Sequence, residues 1–401
     1  MQTQPADFIK HTLQGRQAES ILSKCVHCGF CNAVCPTYQI LGDELDGPRG
    51  RIYLIKQVIE GHQATLSTWR HLDKCLTCRA CETACPSGVK YGELLDIGRE
   101  IVLHQVALPW RQRLLRKLIV WGLPDTARFR ILIRISYWFR FLLPTRLKNK
   151  LPKLQPYDVA CPDPLTARRM LMLDGCVQPV LASGINASAI NVLGRLGIKV
   201  LRIEAAGCCG ALPYHLGEQN NGLNSMRRLI DAWWPWVEQG VEAILITASG
   251  CGVMVKDFGR LLQHDPLYAK KAHLISAMTR DIGEILQAED LSGLRVKQRT
   301  IAFHSPCTLQ HGQQLNGMIE RLLTRLGFNL TPVADAHLCC GSAGSYSLLQ
   351  PEMADRLRID KIKALEAGQP ELIVTANMAC GLHLQEKSGL KVLHWIELLA
   401  D

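Results

Sequence analysis

The chain has 401 residues, a net charge of +10 and a hydrophobic fraction of 47%. That fraction suits two or three folded domains and excludes a disordered protein. No run reaches the roughly 18 uninterrupted apolar residues that a membrane-spanning helix needs. The polar start of the sequence has no apolar signal region, so a cytoplasmic protein is expected.

The first eight cysteines stand in two copies of one pattern. Residues 25–36 and 75–86 both read Cys-x-x-Cys-x-x-Cys-x-x-x-Cys-Pro. Eight thiols at this spacing predict two [4Fe–4S] clusters, because three cysteines at steps of three wrap one loop around a cluster. Structural zinc and disulfides are the alternatives, but zinc sites use two cysteine pairs separated by a spacer.

The fourth cysteine of each copy is expected to serve the other cluster, as in two-cluster ferredoxins. The predicted ligand sets are Cys25, Cys28, Cys31 and Cys85 for cluster 1, and Cys35, Cys75, Cys78 and Cys81 for cluster 2. Both sets must remain thiolates, which favours a reducing compartment. Apolar periodicity predicts helices over 51–60 and 94–106, so residues 1–108 are expected to form a helical ferredoxin-like domain.

A basic segment follows. Residues 110–153 hold twelve Lys or Arg against Asp125 alone, so the local charge is +11 and the rest of the chain is nearly neutral. Two amphipathic helices, 110–121 and 128–143, are predicted there. They suit either an anionic membrane surface or a helical linker whose arginines are merely solvated. A nucleic-acid face is a third reading. The basic residues are Arg111, Arg113, Arg116, Lys117, Arg128, Arg130, Arg134, Arg140, Arg146, Lys148, Lys150 and Lys153.

The rest of the chain is an internal duplication. Cys176, the Cys208-Cys209-Gly210 turn and Cys251 recur as Cys307, Cys339-Cys340-Gly341 and Cys380, at offsets of 131, 131 and 129 residues. Each half alternates β-branched runs with helical stretches, which predicts α/β units on parallel sheets. The predicted helices are 186–196, 223–239, 318–326 and 353–367. Several of the cysteines directly follow predicted strands, at the edge where open α/β sheets bind ligands.

Together these motifs resemble the iron–sulfur subunit of bacterial glycolate oxidase. The more specific stretches are 25–31 (CVHCGFC), 41–51 (LGDELDGPRGR) and 247–252 (TASGCG). The resemblance implies a complex whose FAD-binding subunits oxidise glycolate to glyoxylate, or oxidise D-lactate instead. Single electrons would pass through this chain to a quinone or another acceptor. The sequence has no G-x-G-x-x-G after a strand and no P-loop, which agrees with a flavin held by a partner.

The C-terminal cysteines depart from the denser module of heterodisulfide reductase, whose last cysteine belongs to a Cys-x-x-Cys pair. Position 305 is also serine where a further cysteine would make a denser site. Two interpretations of these cysteines therefore remain open: they bind a third cluster, or they merely pack a turn. Its candidate ligands are Cys176, Cys208, Cys209, Cys251, Cys307, Cys339, Cys340 and Cys380. His304 and His383 are further candidates, each weighed against an ordinary hydrogen-bonded core histidine, and Cys161 is expected to be a free thiol.

The expected architecture is α+β overall. It comprises a helical domain with two [4Fe–4S] clusters (1–108), a basic amphipathic helical linker (109–167) and two cysteine-rich α/β modules with parallel sheets (168–290 and 291–401). The leading functional interpretation is an electron-transfer subunit of a flavin-dependent 2-hydroxy-acid dehydrogenase. A thiol–disulfide enzyme like heterodisulfide reductase, a subunit of a glycerol-3-phosphate or lactate dehydrogenase, and a nucleic-acid-binding iron–sulfur protein are the alternatives.

Overall fold

The computed structural model describes residues 1–139, 141 and 168–400. Up to residue 105 the chain is built from short helices with no strand. The predicted helix at 51–60 spans Pro48–Ile59 and the one at 94–106 spans Tyr91–Gln105. The helices of this part are Asp7–Lys10, Leu13–Ser23, Phe30–Ala33, Pro36–Leu41, Pro48–Ile59, Leu66–Asp73, Ala80–Thr83 and Tyr91–Gln105, with a 3-10 turn at Glu44–Asp46.

The two longest of these helices form the centre of the N-terminal part. Pro48 occupies the first turn of its helix, where a missing N–H costs nothing. Ile52, Ile55 and Ile59 then recur at helical spacing and are buried. Helix Tyr91–Gln105 approaches closely at Gly98, where a Cβ atom would lie 2.6 Å from the Ile55 side chain. This packing fixes the two cysteine loops, which lie before and between these helices.

Two helices of the basic segment follow, Trp110–Gly122 and Thr126–Trp138. The first agrees with prediction. The second was expected over 128–143, which is wrong at both ends. It begins at Thr126 because the Asp125 carboxylate accepts a hydrogen bond from the Arg128 backbone N–H and caps the helix. It ends at Trp138, after which Phe139 leaves helical geometry. Cys161 and five of the twelve predicted basic residues lie outside the described residues.

The duplicated region forms two four-stranded parallel sheets, as the alternating pattern predicted. The strands are β1 Arg169–Met172, β2 Lys199–Arg202, β3 Ala243–Ile246, β4 Thr279–Asp281, β5 Thr300–His304, β6 Asn329–Leu330, β7 Leu372–Thr375 and β8 Val392–His394. The first sheet has the order β2-β1-β3-β4 and the second the order β6-β5-β7-β8. In each sheet the chain order reverses between the two central strands, which is where such sheets bind ligands.

Helices cover the sheets, and the four predicted ones are present with slightly shifted bounds. They are Gln178–Leu181, Ser183–Arg195, Ala211–His215, Gln219–Glu238, Ser249–Lys256, Phe258–Leu261, Ala269–Met278, Ile282–Ala288, Met318–Arg325, Tyr346–Leu349, Pro351–Glu366 and Met378–Gln385, with a π-helical turn at Thr308–Gly312 and a 3-10 turn at Trp395–Leu399. The fold is therefore α+β, with the predicted helical domain and two α/β modules.

The two modules share one hydrophobic core. Ile185 and Leu193 of the first module belong to the same buried cluster as Trp395 and Leu399 of the second. The contact continues to the ligand-binding edges, where the Ser249 hydroxyl lies 2.7 Å from the Thr308 hydroxyl. The modules therefore bring their two switch points next to each other. The predicted domain boundaries at residues 108, 167 and 290 remain predictions.

Candidate metal centres

The N-terminal cysteines converge in two groups. Cys25, Cys28, Cys31 and Cys85 line one concave site, together with Cys81 and Tyr91. Cys28 is exposed, and Val26 and Phe30 beside it are 68% and 62% exposed. The first group therefore lies at the protein surface within an apolar rim.

The second group lies deeper. Cys35, Cys75, Cys78 and Cys81 line a neighbouring site whose wall includes Arg51 and Tyr91. Cys35, Cys75 and Cys81 are all buried. In both groups the structure brings the fourth cysteine of one sequence copy to the first three cysteines of the other.

The two cysteine loops repeat the same unusual backbone. His27 and Gly29 have left-handed φ angles of 57° and 86°, and their counterparts Thr77 and Arg79 have φ angles of 55° and 60°. Such turns direct successive N–H groups to one side, which suits an anionic sulfur cluster. Arg79 adopts this conformation without the freedom of glycine, at a cost of about 1 kcal/mol. Its guanidinium Nη2 lies 2.8 Å from Asp257 Oδ2 of the first module, which offsets that cost.

A buried polar network surrounds the second group. The Thr37 hydroxyl lies 3.2 Å from the Cys35 sulfur and accepts a hydrogen bond from Arg51. Asp46, also buried, accepts from His71 and Lys74 and lies 3.7 Å from Arg51. Burial disfavours the charge of Arg51, but the surrounding anionic groups, among them Cys75, Cys35 and Asp46, outweigh it and raise the pKa of Arg51. A fully buried guanidinium here balances negative charge carried by the thiolates.

In the first module four thiols meet at the switch point between β1 and β3. Cys176 follows β1 and Cys251 follows β3, while Cys208 and Cys209 come from the turn after β2. The Cys209 and Cys251 sulfurs are 3.4 Å apart. Hydrogen bonds from Cys176 and Cys209 lower the pKa of the Cys208 thiol, while the pKa values of those two donors are raised. The four thiols thus form one connected group.

The second module repeats this arrangement at the ends of β5 and β7. Cys307 and Cys339 are 3.8 Å apart, and Cys340 contacts both Cys339 and Cys380. The contact with Cys339 lowers the pKa of Cys340, but the contact with Cys380 and burial outweigh it, so that the pKa is raised. His304 joins this group, since its ring nitrogen and the sulfurs of Cys340 and Cys380 lie within 4.8 Å of one another. His383, the other predicted histidine, is buried with Nε2 3.3 Å from the Ala354 carbonyl oxygen and stands outside that group.

The glycine after each cysteine pair is required by the turn. Gly210 and Gly341 have φ angles of 83° and 87°, and a Cβ atom on either would lie 2.6 Å from a backbone carbonyl oxygen. In each module the glycine N–H points to the first cysteine of the pair, at 3.4 Å from the Cys208 and Cys339 sulfurs. This explains why the motif ends in glycine in both halves.

One cavity joins these groups. It has a volume of about 290 Å³ and receives Cys75 and Cys78 from the N-terminal part, Cys176 and Cys251 from the first module, and sulfurs of the second. The second-module sulfurs that line it are those of Cys307, Cys339 and Cys380. The second N-terminal cysteine group and both module thiol groups therefore face a common space.

Specific contacts hold the N-terminal part against both modules. The Tyr346 hydroxyl donates to the Lys74 carbonyl oxygen at 2.9 Å, next to Cys75. His215 Nδ1 lies 3.0 Å from Asp96 Oδ1 on the side of the first module. No local sequence pattern indicated these contacts, or the ion pair between Arg79 and Asp257. The one available signal was Arg79 itself, which stands where the first cysteine copy has Gly29.

Comparisons with known proteins agree with this arrangement. The family model described as a 4Fe–4S dicluster domain matches residues 21–89, and the one described as a cysteine-rich domain matches 170–256 and 301–385. The glycolate oxidase iron–sulfur subunit of Escherichia coli K12 is 52% identical over 400 residues, covering 100% of this chain and 98% of that protein. The chain belongs to the family of glycolate oxidase iron–sulfur subunits.

More distant relatives match the whole chain or part of it. A probable glycolate oxidase iron–sulfur subunit of Bacillus subtilis 168 is 29% identical over 433 residues, covering 98% of this chain and 96% of that protein. Lactate utilization protein A of Bacillus velezensis is 24% identical over 237 residues, covering 56% of this chain and 95% of its own length. Membership in this family makes the chain a subunit of an oxidoreductase complex with partner subunits. Among the described residues no helix is both long and apolar enough to cross a membrane.

The donor chemistry of the N-terminal sites fits two [4Fe–4S] clusters. Each site brings together the four thiols of one predicted ligand set, and soft thiolates are the ligands these clusters use. Such clusters, when bound, accept and release single electrons. Burial and the nearby Cys25 raise the pKa of Cys31 to about 11, so cluster binding must displace its proton. The chain's own residues contribute the thiols, the charge of Arg51 and the Thr37 hydroxyl, whose oxygen lies 3.2 Å from the Cys35 sulfur.

Proposed function

We propose that this chain carries electrons within a complex that oxidises glycolate, or D-lactate, on the FAD of a partner subunit. Electrons would enter at cluster 1, pass to cluster 2 and leave toward a quinone or another acceptor. The observation that carries this proposal is the spatial order of the thiol groups, from the surface to the interior. One group reaches an apolar surface through the exposed Cys28, the next lies deeper beside it, and the deeper one opens on the cavity between the modules.

Cluster 1 is proposed to be bound by Cys25, Cys28, Cys31 and Cys85, and cluster 2 by Cys35, Cys75, Cys78 and Cys81. The composition of the two concave sites supports this crossed assignment. The exposed Val26 and Phe30 next to Cys28 support a docking surface for the flavin subunit at cluster 1. A one-electron carrier needs its entry cluster near the surface and its later clusters shielded from solvent.

The C-terminal thiols are proposed to hold further metal, and iron bound there would carry electrons. Each set of four lies within its own module, which supports one centre per module rather than one centre shared between them. Both sets face the cavity that Cys75 and Cys78 also line, so electrons from cluster 2 could reach them. Thiols that merely packed a turn would not need to converge at a switch point on such a cavity.

The test uses the purified complex with its flavin subunits. Cys28→Ser should leave FAD content and flavin reduction by glycolate unchanged, because the flavin belongs to a partner. It should abolish electron transfer from the reduced flavin to a soluble quinone analogue, because cluster 1 is lost. Unchanged quinone reduction, or FAD bound tightly by the isolated chain, would contradict the proposal.

A further inference from the structure

The second module contains a buried polar pair that the first module lacks. His304 ends β5 and pairs in register with Thr375, which ends β7. Their side chains are 2% and 1% exposed, and His304 Nδ1 lies 2.9 Å from the Thr375 hydroxyl. The offsets of the duplication place Leu173 and Ile246 at these positions in the first module, where both are equally buried.

The fold therefore does not need polar side chains at these two positions. An apolar pair fills the same place in the first sheet, and burying polar groups instead is unfavourable unless each finds a partner. Only one of the two ring nitrogens of His304 has one. Among the described residues, Nε2 is buried without any hydrogen-bond partner.

His304 lies beside two thiols. A ring nitrogen of His304 and the sulfurs of Cys340 and Cys380 lie within 4.8 Å of one another, and all three residues are buried. Since Thr375 occupies Nδ1, Nε2 is the atom free to bind a metal. A ligating histidine typically has its other nitrogen fixed by a hydrogen bond, which is the role that Thr375 fills.

We propose that His304 Nε2 binds a transition metal together with the thiolates of Cys340 and Cys380. The centre of the second module would then have mixed nitrogen and sulfur ligands, and that of the first would have sulfur alone. Imidazole combined with thiolate suits iron or zinc. This inference extends the proposal that the modules bind metal, and it rests on that proposal.

A neutral imidazole in place of a thiolate has a consequence for electron flow. It makes an iron centre less negative and raises its reduction potential, as the two histidines of Rieske centres do. Electrons reaching the common cavity would then settle on the second module rather than the first.

The experiment uses the full chain, purified without oxygen and labelled with 15N-histidine. Metal analysis first counts iron and zinc beyond the roughly eight irons of two [4Fe–4S] clusters. For iron, pulsed EPR should detect a histidine nitrogen coupled directly to the centre. For zinc, X-ray absorption should detect a nitrogen at about 2.0–2.1 Å. His304→Gln should remove that nitrogen signal, and His383→Gln, a buried histidine of the same module, should keep it.

His304→Cys is a second variant that keeps the test valid if His304→Gln does not fold. It supplies a thiolate at the same place, so the metal should remain, the nitrogen signal should vanish and the potential of an iron centre should fall. Metal beyond the two clusters without any histidine nitrogen signal in the unmodified chain would overturn the role of His304 alone. Absence of any such metal would overturn both this inference and the proposed module centres, while leaving the two N-terminal clusters untouched.

Discussion

Crossed ligation makes a prediction that separates the two N-terminal clusters. Cys85 belongs to the second cysteine run in sequence but lines the site of Cys25, Cys28 and Cys31. Cys85→Ser replaces one of four soft ligands by a poorer one and should destabilise cluster 1. The expected loss is about four of the eight irons of the two clusters. The remaining EPR signal should match that of Cys28→Ser, whose membership in cluster 1 does not depend on the crossing.

Cys35→Ser is the matched control. It should also remove about four irons, but its EPR signal should match that of Cys78→Ser. The two single-cluster proteins should differ in reactivity as well. Cys28 is exposed, whereas Cys35, Cys75 and Cys81 are buried. The cluster that survives in Cys35→Ser should therefore lose iron to a chelator faster than the cluster that survives in Cys85→Ser.

The reasoning fails if the pairs are exchanged. If Cys85→Ser gives the spectrum of Cys78→Ser, each run binds its own cluster. The proximity of Cys85 to the first loop would then have no part in ligation. Loss of all eight irons in both variants would instead mean that the clusters assemble only together, and partial reconstitution followed by the same spectral comparison would then be decisive.

Two further predictions concern the turns and the docking of the parts. Gly341→Ala should disrupt the turn at Cys339-Cys340, because alanine there would combine a left-handed φ with a close contact between its Cβ atom and a carbonyl oxygen. The expected loss of stability is about 2–4 kcal/mol, measured by thermal unfolding. The control Gly207→Ala, which has open space before the cysteine pair of the first module, should be nearly neutral. Asp257→Asn removes the partly buried charged partner of Arg79 and should lower the free energy of unfolding by about 1–3 kcal/mol. It should also slow intramolecular electron transfer measured by flash photolysis. An unchanged rate would mean that the ion pair does not position the cluster 2 loop.

The sequence predicted the elements well because their signals are local. The cysteine spacing, the apolar periodicity of Pro48–Ile59 and the β-branched run of β7 each lie within a dozen residues. The parallel sheets followed from the alternation of strand and helix, and the place of the thiols at the ligand-binding edge followed from cysteines that directly follow strands. A cap such as Asp125 was missed because apolar periodicity, on which the prediction relied, does not register a polar residue before the first turn.

What the sequence could not provide is the juxtaposition of distant parts. The bond from Tyr346 to Lys74 joins residues 272 positions apart, and no local pattern encodes it. The same holds for His304, which was one of two candidates. Sequence treated it and His383 alike, but only the three-dimensional arrangement places one among thiols and the other against a backbone carbonyl.

The two helices of the basic segment expose an unusual amount of apolar surface. Among the described residues of this segment, ten large apolar side chains are at least 40% exposed: Trp110, Leu114, Leu115, Leu118, Trp121, Ile131, Ile135, Trp138, Phe139 and Phe141. Arg116 is different, since it is buried, paired with Asp73 and stacked 5.2 Å from the Trp69 ring centroid. That contact attaches the first helix to the N-terminal part. The other basic residues of the two helices are exposed.

We therefore expect this surface to bind anionic membranes, where a quinone could accept electrons. Arg128, Arg130 and Arg134 are all exposed. Each basic residue near an anionic surface contributes about 1 kcal/mol, so changing these three to Glu should weaken binding by about 3 kcal/mol or more, on the order of 100-fold. The interaction should weaken as salt shortens the screening length to about 8 Å at physiological ionic strength.

Sedimentation of the complex with anionic vesicles at low salt measures this binding. The matched control changes three exposed lysines elsewhere, Lys270, Lys363 and Lys387, to Glu and alters the net charge by the same amount. Only the arginine variant should lose binding, because charge acts here through its position beside the exposed tryptophans. Equal loss of binding in both variants would mean that net charge alone determines membrane binding. If the unmodified complex does not sediment with the vesicles, the helices act as a linker and not as a membrane-binding surface.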